Sequence, residues 1–301
     1  MGFYYKRRLL ISSWKAKERE RSIFAMAQTT EVLDRIKKAS SILPIPIKRG
    51  VVLFLDIYAQ FLSRLNRFYF PKKFNWEWKL EMLMEKYERD SVHICKKLIK
   101  PKMVVMDIGA HIGYYTRIFS KLVGQEGRVY AFEPNIENFE LLKKNTHHLR
   151  NVTLCNKAVS DKIGSIDFFI LPGSTGSHSI FASVEAKKTA TESTTIDHFL
   201  RQVGMPAVNF LKIDIEGGEP LAFRGMLEFL QKQKDISVIM EFLPGVLEKT
   251  GEDPQLFLEK LRGFGLMINV IAENGEIKSL DKLSEGKLYK TGYYNLLLQK
   301  L

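Results

Sequence analysis

Hydrophobic and polar positions along residues 101–301 follow a pattern that predicts strands separated by helices. Short apolar runs, typical of buried strands, alternate with longer segments whose apolar residues recur at helical spacing. The predicted strands are Met103–Asp107, Arg128–Glu133, Val152–Val159, Val208–Asp214, Ile236–Phe242, Leu266–Ala272 and Tyr293–Gln299. The predicted helices are Gly113–Val123, Ile136–His147, Thr195–Val203, Glu219–Leu230 and Pro254–Phe264.

This order of elements indicates an α/β fold built on a doubly wound sheet. Strands that alternate with helices form parallel sheets with helices on both faces. No helical pattern separates the last two predicted strands, so we expect them to form an antiparallel hairpin at the C-terminal edge. The sequence therefore predicts a seven-stranded, mostly parallel sheet with a C-terminal antiparallel hairpin, preceded by a helical N-terminal extension.

Residues 51–70 predict an amphipathic helix within that extension. Their polar residues recur at helical spacing and leave a broad apolar face. Three charges inside the segment argue against a helix that spans a membrane. The pattern slightly favours a helix docked on the C-terminal domain over one lying in a membrane interface. A membrane span and a dimer contact are the remaining alternatives.

The charge of the chain is concentrated in its N-terminal third. Residues 1–100 contain 22 Lys and Arg against 10 Asp and Glu, whereas residues 101–301 contain 24 of each. A basic segment suits an anionic surface, either lipid head groups or nucleic acid. Together with the motifs below, this asymmetry predicts a basic helical extension over residues 1–78 and a domain over residues 79–301.

The cysteines indicate the compartment. Cys95 and Cys155 have no metal-type spacing, and nothing upstream resembles a cleaved secretory signal. We therefore expect a cytoplasmic protein without a disulfide, associated with a membrane if the amphipathic helix lies on lipid.

A glycine turn between two predicted strands indicates a nucleoside site. In Val104–Gly113 an apolar run ends in Asp107 and is followed by a Gly-x-x-x-Gly turn, and the next apolar run ends in Glu133. Glycines allow a close approach of the backbone at the start of a helix. A carboxylate at the end of the second strand can accept both hydroxyls of a ribose.

The spacing of the turn discriminates between nucleoside cofactors. Dinucleotide-binding enzymes use G-x-G-x-x-G, and this turn lacks the middle glycine. Asp107 would also face a pyrophosphate unfavourably, whereas it suits an ammonium or a sulfonium group. The sequence therefore favours S-adenosylmethionine over a dinucleotide, and over a turn that binds no ligand.

Acidic residues also follow two later strands. Ligands of open parallel sheets bind outside the carboxyl ends of the strands. Asp214, Glu216 and Glu241 lie at such positions and are candidates to face an acceptor pocket. Glu219 is better explained as an acid that complements a helix dipole.

Five motifs, in this order, resemble the FkbM-type methyltransferases. They are VVMDIGAHIGYYT, VYAFEPN, NKAVSD, TTID and FLKIDIEGGE, beginning at residues 104, 129, 156, 194 and 210. The resemblance covers about residues 80–301 and implies a Rossmann-like class I fold that uses S-adenosylmethionine. It implies cofactor contacts from Asp107, Gly109, Ala110, Gly113, Glu133 and Pro134, with Ala158 and Asp161 near the adenine. His111 stands where the family usually has Asn, so no role is transferred to it.

The resemblance places Asp214 and Glu216 near the site of methyl transfer. A sugar hydroxyl is a poor nucleophile and needs a general base, for which Glu241, Glu216 and His178 are the candidates. A divalent metal held by Asp214, Glu216 and Glu241 is a less favoured alternative, because the spacing is not diagnostic. We therefore predict no metal.

The sequence thus predicts an S-adenosylmethionine-dependent O-methyltransferase that acts on a hydroxyl of a sugar, glycolipid or similar small molecule. The extension would bring it to a membrane, so removing residues 1–75 should abolish liposome binding while cofactor binding is kept. The main alternative is an RNA methyltransferase that binds phosphates through the basic extension. A nicotinamide-dependent oxidoreductase and a non-catalytic binding protein are further alternatives.

Overall fold

The computed structural model describes residues 44–72, 74–171, 186–280 and 292–300. Their contacts divide the chain into two compact units. The first contains the described residues up to Asn66 together with Asn75–Met84, and the second contains Arg67–Phe74 and the residues from Glu85 onward. Residues 67–74 thus belong with the second unit, although the sequence assigns them to the extension.

The first unit consists of two packed helices, α1 (Ile45–Leu65) and α2 (Trp76–Leu83). Helix α1 begins directly after Pro44 and has a further proline in its first turn, where the fixed φ of proline favours a helix start. The buried Lys79 Nζ of α2 lies 2.7 Å from Asp56 Oδ1 of α1. Among the described helices, none combines the length and the apolar character needed to cross a bilayer.

The second unit is an α/β domain, which confirms the predicted fold class. Its strands are β1 (Val104–Ile108), β2 (Arg128–Phe132), β3 (Val152–Cys155), β4 (Ala158–Val159), β5 (Gly164–Ile170), β6 (Lys187–Thr194), β7 (Phe210–Ile213), β8 (Ile236–Phe242), β9 (Met267–Ile271), β10 (Ile277–Ser279) and β11 (Tyr294–Lys300). Its helices are α3 (Arg89–Leu98), α4 (Tyr114–Val123), α5 (Ile136–Thr146), α6 (Ile196–Gln202), α7 (Glu219–Arg224), α8 (Leu227–Lys232), α9 (Pro244–Lys249) and α10 (Pro254–Gly263).

The main sheet has the order β10-β9-β11-β8-β7-β1-β2-β3. Strands β3, β2, β1, β7 and β8 are parallel, whereas β11 is antiparallel to both β8 and β9. The chain runs outward from β1 through β2 to β3 and then returns to β7 on the other side of β1. This reversal between β1 and β7 creates the crevice in which open α/β sheets bind their ligands.

The sheets differ from the prediction in four details, the first being that β5 and β6 were not predicted. Among the described residues the main sheet has eight strands rather than seven, because Ile277–Ser279 adds an edge strand. The predicted strand Val152–Val159 is two strands, of which β4 belongs to a second sheet with the order β4-β6-β5. The final antiparallel pairing is confirmed, but β11 takes the inner position and β10 forms the edge.

The five predicted helical regions are confirmed with small changes at their ends. The region Glu219–Leu230 contains two short helices, because the chain turns at Gly225 between α7 and α8. The short α9 was not predicted.

The core lies on both faces of the main sheet, where helices bury strands β1 and β7. Its largest fully buried side chains include Phe119, Phe132, Phe210 and Phe242.

Candidate functional site

The glycine turn after β1 is hydrogen-bonded to the end of β2 and lies against the end of β7. The amides of Gly109 and Ala110 both donate to the carbonyl of Phe132, at 3.0 and 2.9 Å. Gly109 has a φ of +86°, and a Cβ there would lie 1.8 Å from the backbone oxygen of Asp214. Gly109 is therefore required by the approach of the two strand ends.

The second half of the turn leads into α4. Gly113 precedes α4 with a φ of +92°, and a Cβ there would lie 2.8 Å from Leu142 Cδ1. His111 has a φ of +51°. Asn, Asp and His are enriched in this left-handed region, which explains why His can stand where the family usually has Asn.

Glu133 lies at the end of β2 and holds the turn through its side chain. Its Oε2 accepts from the amide of His111 at 2.8 Å, and its Oε1 accepts from the amide of Asn135 at 2.9 Å. Burial raises the pKa of Glu133 to about 7, although both amides lower it. The side chain of Asn138 is a third donor to this group. A carboxylate has about four acceptor positions, so Glu133 can still accept from a ribose hydroxyl.

Asp107 is fully buried one residue before the end of β1. Its Oδ2 accepts from the hydroxyl of Thr116 at 2.5 Å, whereas its Oδ1 has no hydrogen-bond partner among the described residues. Burial raises the pKa of Asp107 to about 6, and the charge of Lys212 opposes that rise. A buried acceptor without a partner beside a glycine turn fits a cationic ligand.

The NKAVSD motif lies against the end of β2. Asn156 Nδ2 donates to the carbonyl of Glu133 at 2.8 Å and to that of Pro134 at 3.2 Å. Ala158 is buried in β4, and the carboxylate of Asp161 lies 3.4 Å from Arg224 Nε. Asn156, which the sequence did not single out, thus fixes this motif beside Glu133.

Three carboxyl groups meet at the ends of β7 and β8. One oxygen from each of Asp214, Glu216 and Glu241 lies within 4.8 Å of the others, a spacing at which the three could hold a metal ion. Three negative charges this close repel one another strongly unless protons or cations compensate them.

Lys212 supplies the compensating charge. It is buried in β7, and its Nζ donates to Asp214 Oδ2 at 2.6 Å. The same ammonium lies 4.5 Å from the ring centroid of Tyr115, whose hydroxyl donates to Glu88 Oε2 at 2.8 Å. Burial alone would lower the pKa of Lys212, but Asp214, Glu88 and Asp107 raise it. Lys212 is therefore a buried cation surrounded by acids.

The three carboxyl groups consequently differ in their protonation. Burial would raise the pKa of Asp214, but Lys212 and a hydrogen bond from Glu241 hold it below its usual value. Burial and the charge of Asp214 raise the pKa of Glu216 to about 7. Burial and the charges of Asp214 and Glu216 raise that of Glu241 to about 11. At neutral pH Asp214 is ionised, Glu241 is protonated and Glu216 titrates.

Residues 107–274 match the Methyltransferase FkbM domain family, over more than half of the 301 residues. The chain belongs to this family. It is thus an S-adenosylmethionine-dependent methyltransferase, as the motifs implied. The matched region contains the glycine turn, Glu133 and all three clustered carboxyl groups.

Solved structures of other methyltransferases are similar to this chain at low sequence identity. The precorrin-6y C5,15-methyltransferase of Geobacter metallireducens GS-15 is 16% identical, with a TM-score of 0.43 over 78% of this chain and 96% of that one. A methyltransferase of Streptococcus mutans in complex with SAH is 10% identical, with a TM-score of 0.42 over 71% and 97%. An O-methyltransferase of Thermotoga maritima is 14% identical, with a TM-score of 0.39 over 71% and 65%. A search of curated protein sequences finds no match.

Glu219 and His178 are the two remaining residues that the sequence analysis of this FkbM methyltransferase discussed. Glu219 is buried at the start of α7, and its Oε1 accepts from the amide of Ile215 at 3.0 Å. It therefore holds the turn that presents Glu216, which has a φ of +54°. His178 lies outside the described residues.

Two tyrosines near the acid cluster were missed by sequence reasoning. Burial raises the pKa of Tyr87 and of Tyr293, and the charges of Asp214 and Glu241 raise both further. Tyr293 directly precedes β11, and Tyr87 lies in the turn before α3. Neither is part of a motif, so only the fold brings them near the carboxyl groups.

Residues Arg67–Phe74 form a strap on the methyltransferase domain that the sequence also did not reveal. The side chain of Asn145 accepts from the amide of Tyr69 at 2.6 Å and donates to its carbonyl at 2.9 Å. The same amide group donates to the carbonyl of Ile112, inside the glycine turn, at 2.8 Å. The ring of Phe74 lies 6.4 Å from that of His111. The strap thus holds the turn from outside the family motifs.

Proposed function

We propose that this enzyme methylates a hydroxyl oxygen of a sugar, glycolipid or similar small molecule. The observation that carries the proposal is the cluster of Asp214, Glu216 and Glu241 at the ends of β7 and β8, whose pKa values differ with their surroundings. A hydroxyl must lose its proton as it attacks, and the best general base has a pKa near the working pH. Glu216, with a pKa of about 7, meets this requirement.

The three carboxyl groups would act in different roles. Glu216 would take the proton of the acceptor hydroxyl as that oxygen displaces the sulfur of the cofactor from the methyl carbon, so that the carbon–sulfur bond breaks and S-adenosylhomocysteine leaves. Protonated Glu241 already donates to Asp214, so it would orient the acceptor by accepting a hydrogen bond from another of the acceptor's hydroxyls on Oε2, which has no partner among the described residues. Ionised Asp214 offers negative charge to a cationic centre. Alignment of the reacting atoms contributes much of the rate of such a displacement.

The cofactor contacts follow the geometry of the turn. S-adenosylmethionine supplies a methyl group activated by a sulfonium. Glu133 would accept from one of its ribose hydroxyls and Asp107 Oδ1 would contact its cationic part, with Gly109, Ala110 and Gly113 allowing the close approach. Pro134, Ala158 and Asp161 would line the adenine side.

Calorimetric titration tests the cofactor contacts. Wild-type protein should bind S-adenosylhomocysteine with micromolar affinity and should not bind NADH. Glu133→Ala should weaken the binding, because it removes both the ribose acceptor and the group that holds the His111 amide. Equal binding by wild type and Glu133→Ala would contradict this placement.

A transfer assay with radiolabelled S-adenosylmethionine tests the acceptor class. Free sugars, nucleotide sugars, extracted glycolipids and RNA transcripts would be compared as acceptors. We expect label in a carbohydrate fraction, and we expect Glu216→Gln to lose it while S-adenosylhomocysteine binding is kept. The exposed Glu259→Gln is the matched control. Label in RNA alone would replace the carbohydrate proposal with the RNA alternative.

A further inference from the structure

Helix α1 carries an apolar face that the described protein leaves exposed. Phe54 is 67% exposed, Leu53 62%, Ile57 57% and Phe61 55%. The residues on this side of the helix, called here the exposed α1 face, are Ile47, Leu53, Phe54, Ile57, Tyr58, Phe61 and Leu65. Ile45, the first residue of α1, is also exposed but lies on the opposite side of the helix. Soluble proteins rarely expose contiguous apolar surface of this kind unless it binds a partner or a membrane.

The exposed α1 face is a continuous stripe. At 3.6 residues per turn its seven side chains fall within an arc of about 140°, and they extend along about 27 Å of helix. The opposite side of the helix is buried at Leu55, Ala59 and Ser63. Helix α1 therefore has one side used within the protein and one side free for a partner.

The charges beside this stripe are positive. Arg49 and Arg64 are exposed, and helical geometry places Arg49 beside the stripe and Arg64 within one edge of it. The acid within the helix, Asp56, is paired with Lys79. An apolar stripe with arginines at its edge is the arrangement by which amphipathic helices lie in the surface of an anionic bilayer.

A second copy of the chain is a less suitable occupant. Antiparallel pairing of two such faces around a two-fold axis would bring Arg49 beside Arg64 of the other copy. Parallel pairing would place the arginines of the two copies on opposite edges. Neither arrangement offers an unpaired acid of α1 to compensate the arginines, whereas lipid phosphates would.

We propose that α1 docks this enzyme on an anionic membrane. The exposed α1 face enters the boundary between head groups and acyl chains, and Arg49 and Arg64 contact lipid phosphates. This proposal does not depend on which acceptor is methylated.

Vesicle co-sedimentation of the full chain tests it. Wild type should bind vesicles of phosphatidylcholine mixed with phosphatidylglycerol. Phe54→Ser/Phe61→Ser should reduce the binding at least about tenfold, since it removes two exposed aromatic groups that would enter the bilayer. Leu256→Ser/Ile163→Ser changes two exposed apolar residues elsewhere and should bind like wild type. Arg49→Glu/Arg64→Glu should lose the preference for anionic vesicles.

The same variants separate the other outcomes. All should bind S-adenosylhomocysteine like wild type, which shows that they are folded. Wild type that fails to bind anionic vesicles, or a Phe54→Ser/Phe61→Ser variant that binds them equally, would overturn the proposal. A dimer in analytical ultracentrifugation that only this variant abolishes, without vesicle binding, would assign the face to self-association instead.

Discussion

Lys212 determines which of the neighbouring acids carries charge. Its ammonium is buried with Asp214 at 2.6 Å and with the charges of Glu88 and Asp107 nearby. A buried cation of this kind depends on its partners, since removing one leaves charge in a poorly solvated place. The same ammonium keeps Asp214 ionised, and the ionised Asp214 in turn keeps protons on Glu241.

Two isosteric substitutions should therefore have unequal effects on stability. Asp214→Asn removes the main partner of Lys212 and should lower the free energy of unfolding by about 3 kcal/mol. Glu241→Gln replaces a carboxyl group that is already protonated at pH 7 and should change it by less than about 1 kcal/mol. Urea denaturation at pH 7 measures both, and equal losses would contradict the assigned protonation states.

The pKa of Glu216 predicts how turnover depends on pH. A general base acts in its deprotonated form, so the rate should rise with pH and level off above about 7. Glu216→Gln should lower kcat by about 10²–10⁴-fold and remove this rise. The pH dependence of kcat is measured for both proteins with the acceptor that the labelling assay identifies. A pH profile that is unchanged in Glu216→Gln would show that another residue is the general base.

At the scale of elements, the glycine turn and the end of β7 form one unit. A Cβ at Gly109 would require the backbone of Asp214 to move. Gly109→Ala should thus lower the free energy of unfolding by about 3 kcal/mol and abolish S-adenosylhomocysteine binding. Gly245→Ala in α9 meets no atom within 4 Å and should be neutral or stabilising. Calorimetry and thermal denaturation of both variants provide the comparison.

The strap gives a second prediction at this scale. Asn145→Ala removes three hydrogen bonds, to Tyr69 N, Tyr69 O and Ile112 O, and should cost about 2–4 kcal/mol of stability. It should also weaken S-adenosylhomocysteine binding, because the bond to Ile112 fixes the glycine turn. Asn145→Asp keeps one acceptor and should fall between wild type and Asn145→Ala. Unchanged cofactor binding in Asn145→Ala would show that the strap is structural only.

Sequence periodicity predicted the strands and helices whose own residues form a clear apolar pattern. Strands β1 and β7 are buried on both faces, so their apolar runs identify them without knowledge of their neighbours. Strands β5 and β6 are partly exposed and contain many polar residues, and they depend on pairing with each other. The contact between Tyr69 and Asn145 spans 76 residues, and no local pattern encodes it.

In the candidate site, too, the sequence predicts only what local patterns encode. The acids could be located in the sequence because each follows an apolar run at a strand end. Their different pKa values could not be predicted, since they depend on how Lys212, Glu88 and Asp107 come together from separate elements. Tyr87 and Tyr293 were missed for the same reason.

For the molecule as a whole, the buried carboxyl groups predict that stability falls as pH rises. Folding raises the pKa of Asp107 to about 6, of Glu133 and Glu216 to about 7 and of Glu219 to about 8. Above about pH 4.5 the unfolded chain has released protons that the folded chain still holds, so the free energy of unfolding decreases with pH. Asp214, whose pKa is lowered, contributes stability that is already complete above about pH 4.

Thermal denaturation from about pH 5 to about pH 8 should therefore show a falling Tm. Glu219→Gln keeps an acceptor for the Ile215 amide but cannot titrate, so its Tm should fall less steeply. A Tm that rises over this range, or a Glu219→Gln slope equal to that of wild type, would contradict the burial of these groups in protonated form.

The inner position of β11 has a consequence for synthesis on the ribosome. Strand β8 has no neighbour on one side until β11 arrives, and 51 residues separate Phe242 from Tyr294. At about 5–20 residues per second the nascent chain exposes this open edge for about 3–10 s. During that interval an apolar strand can pair with other chains. Nascent-chain chaperones should therefore bind this polypeptide after β8 emerges and leave it when β11 completes the sheet.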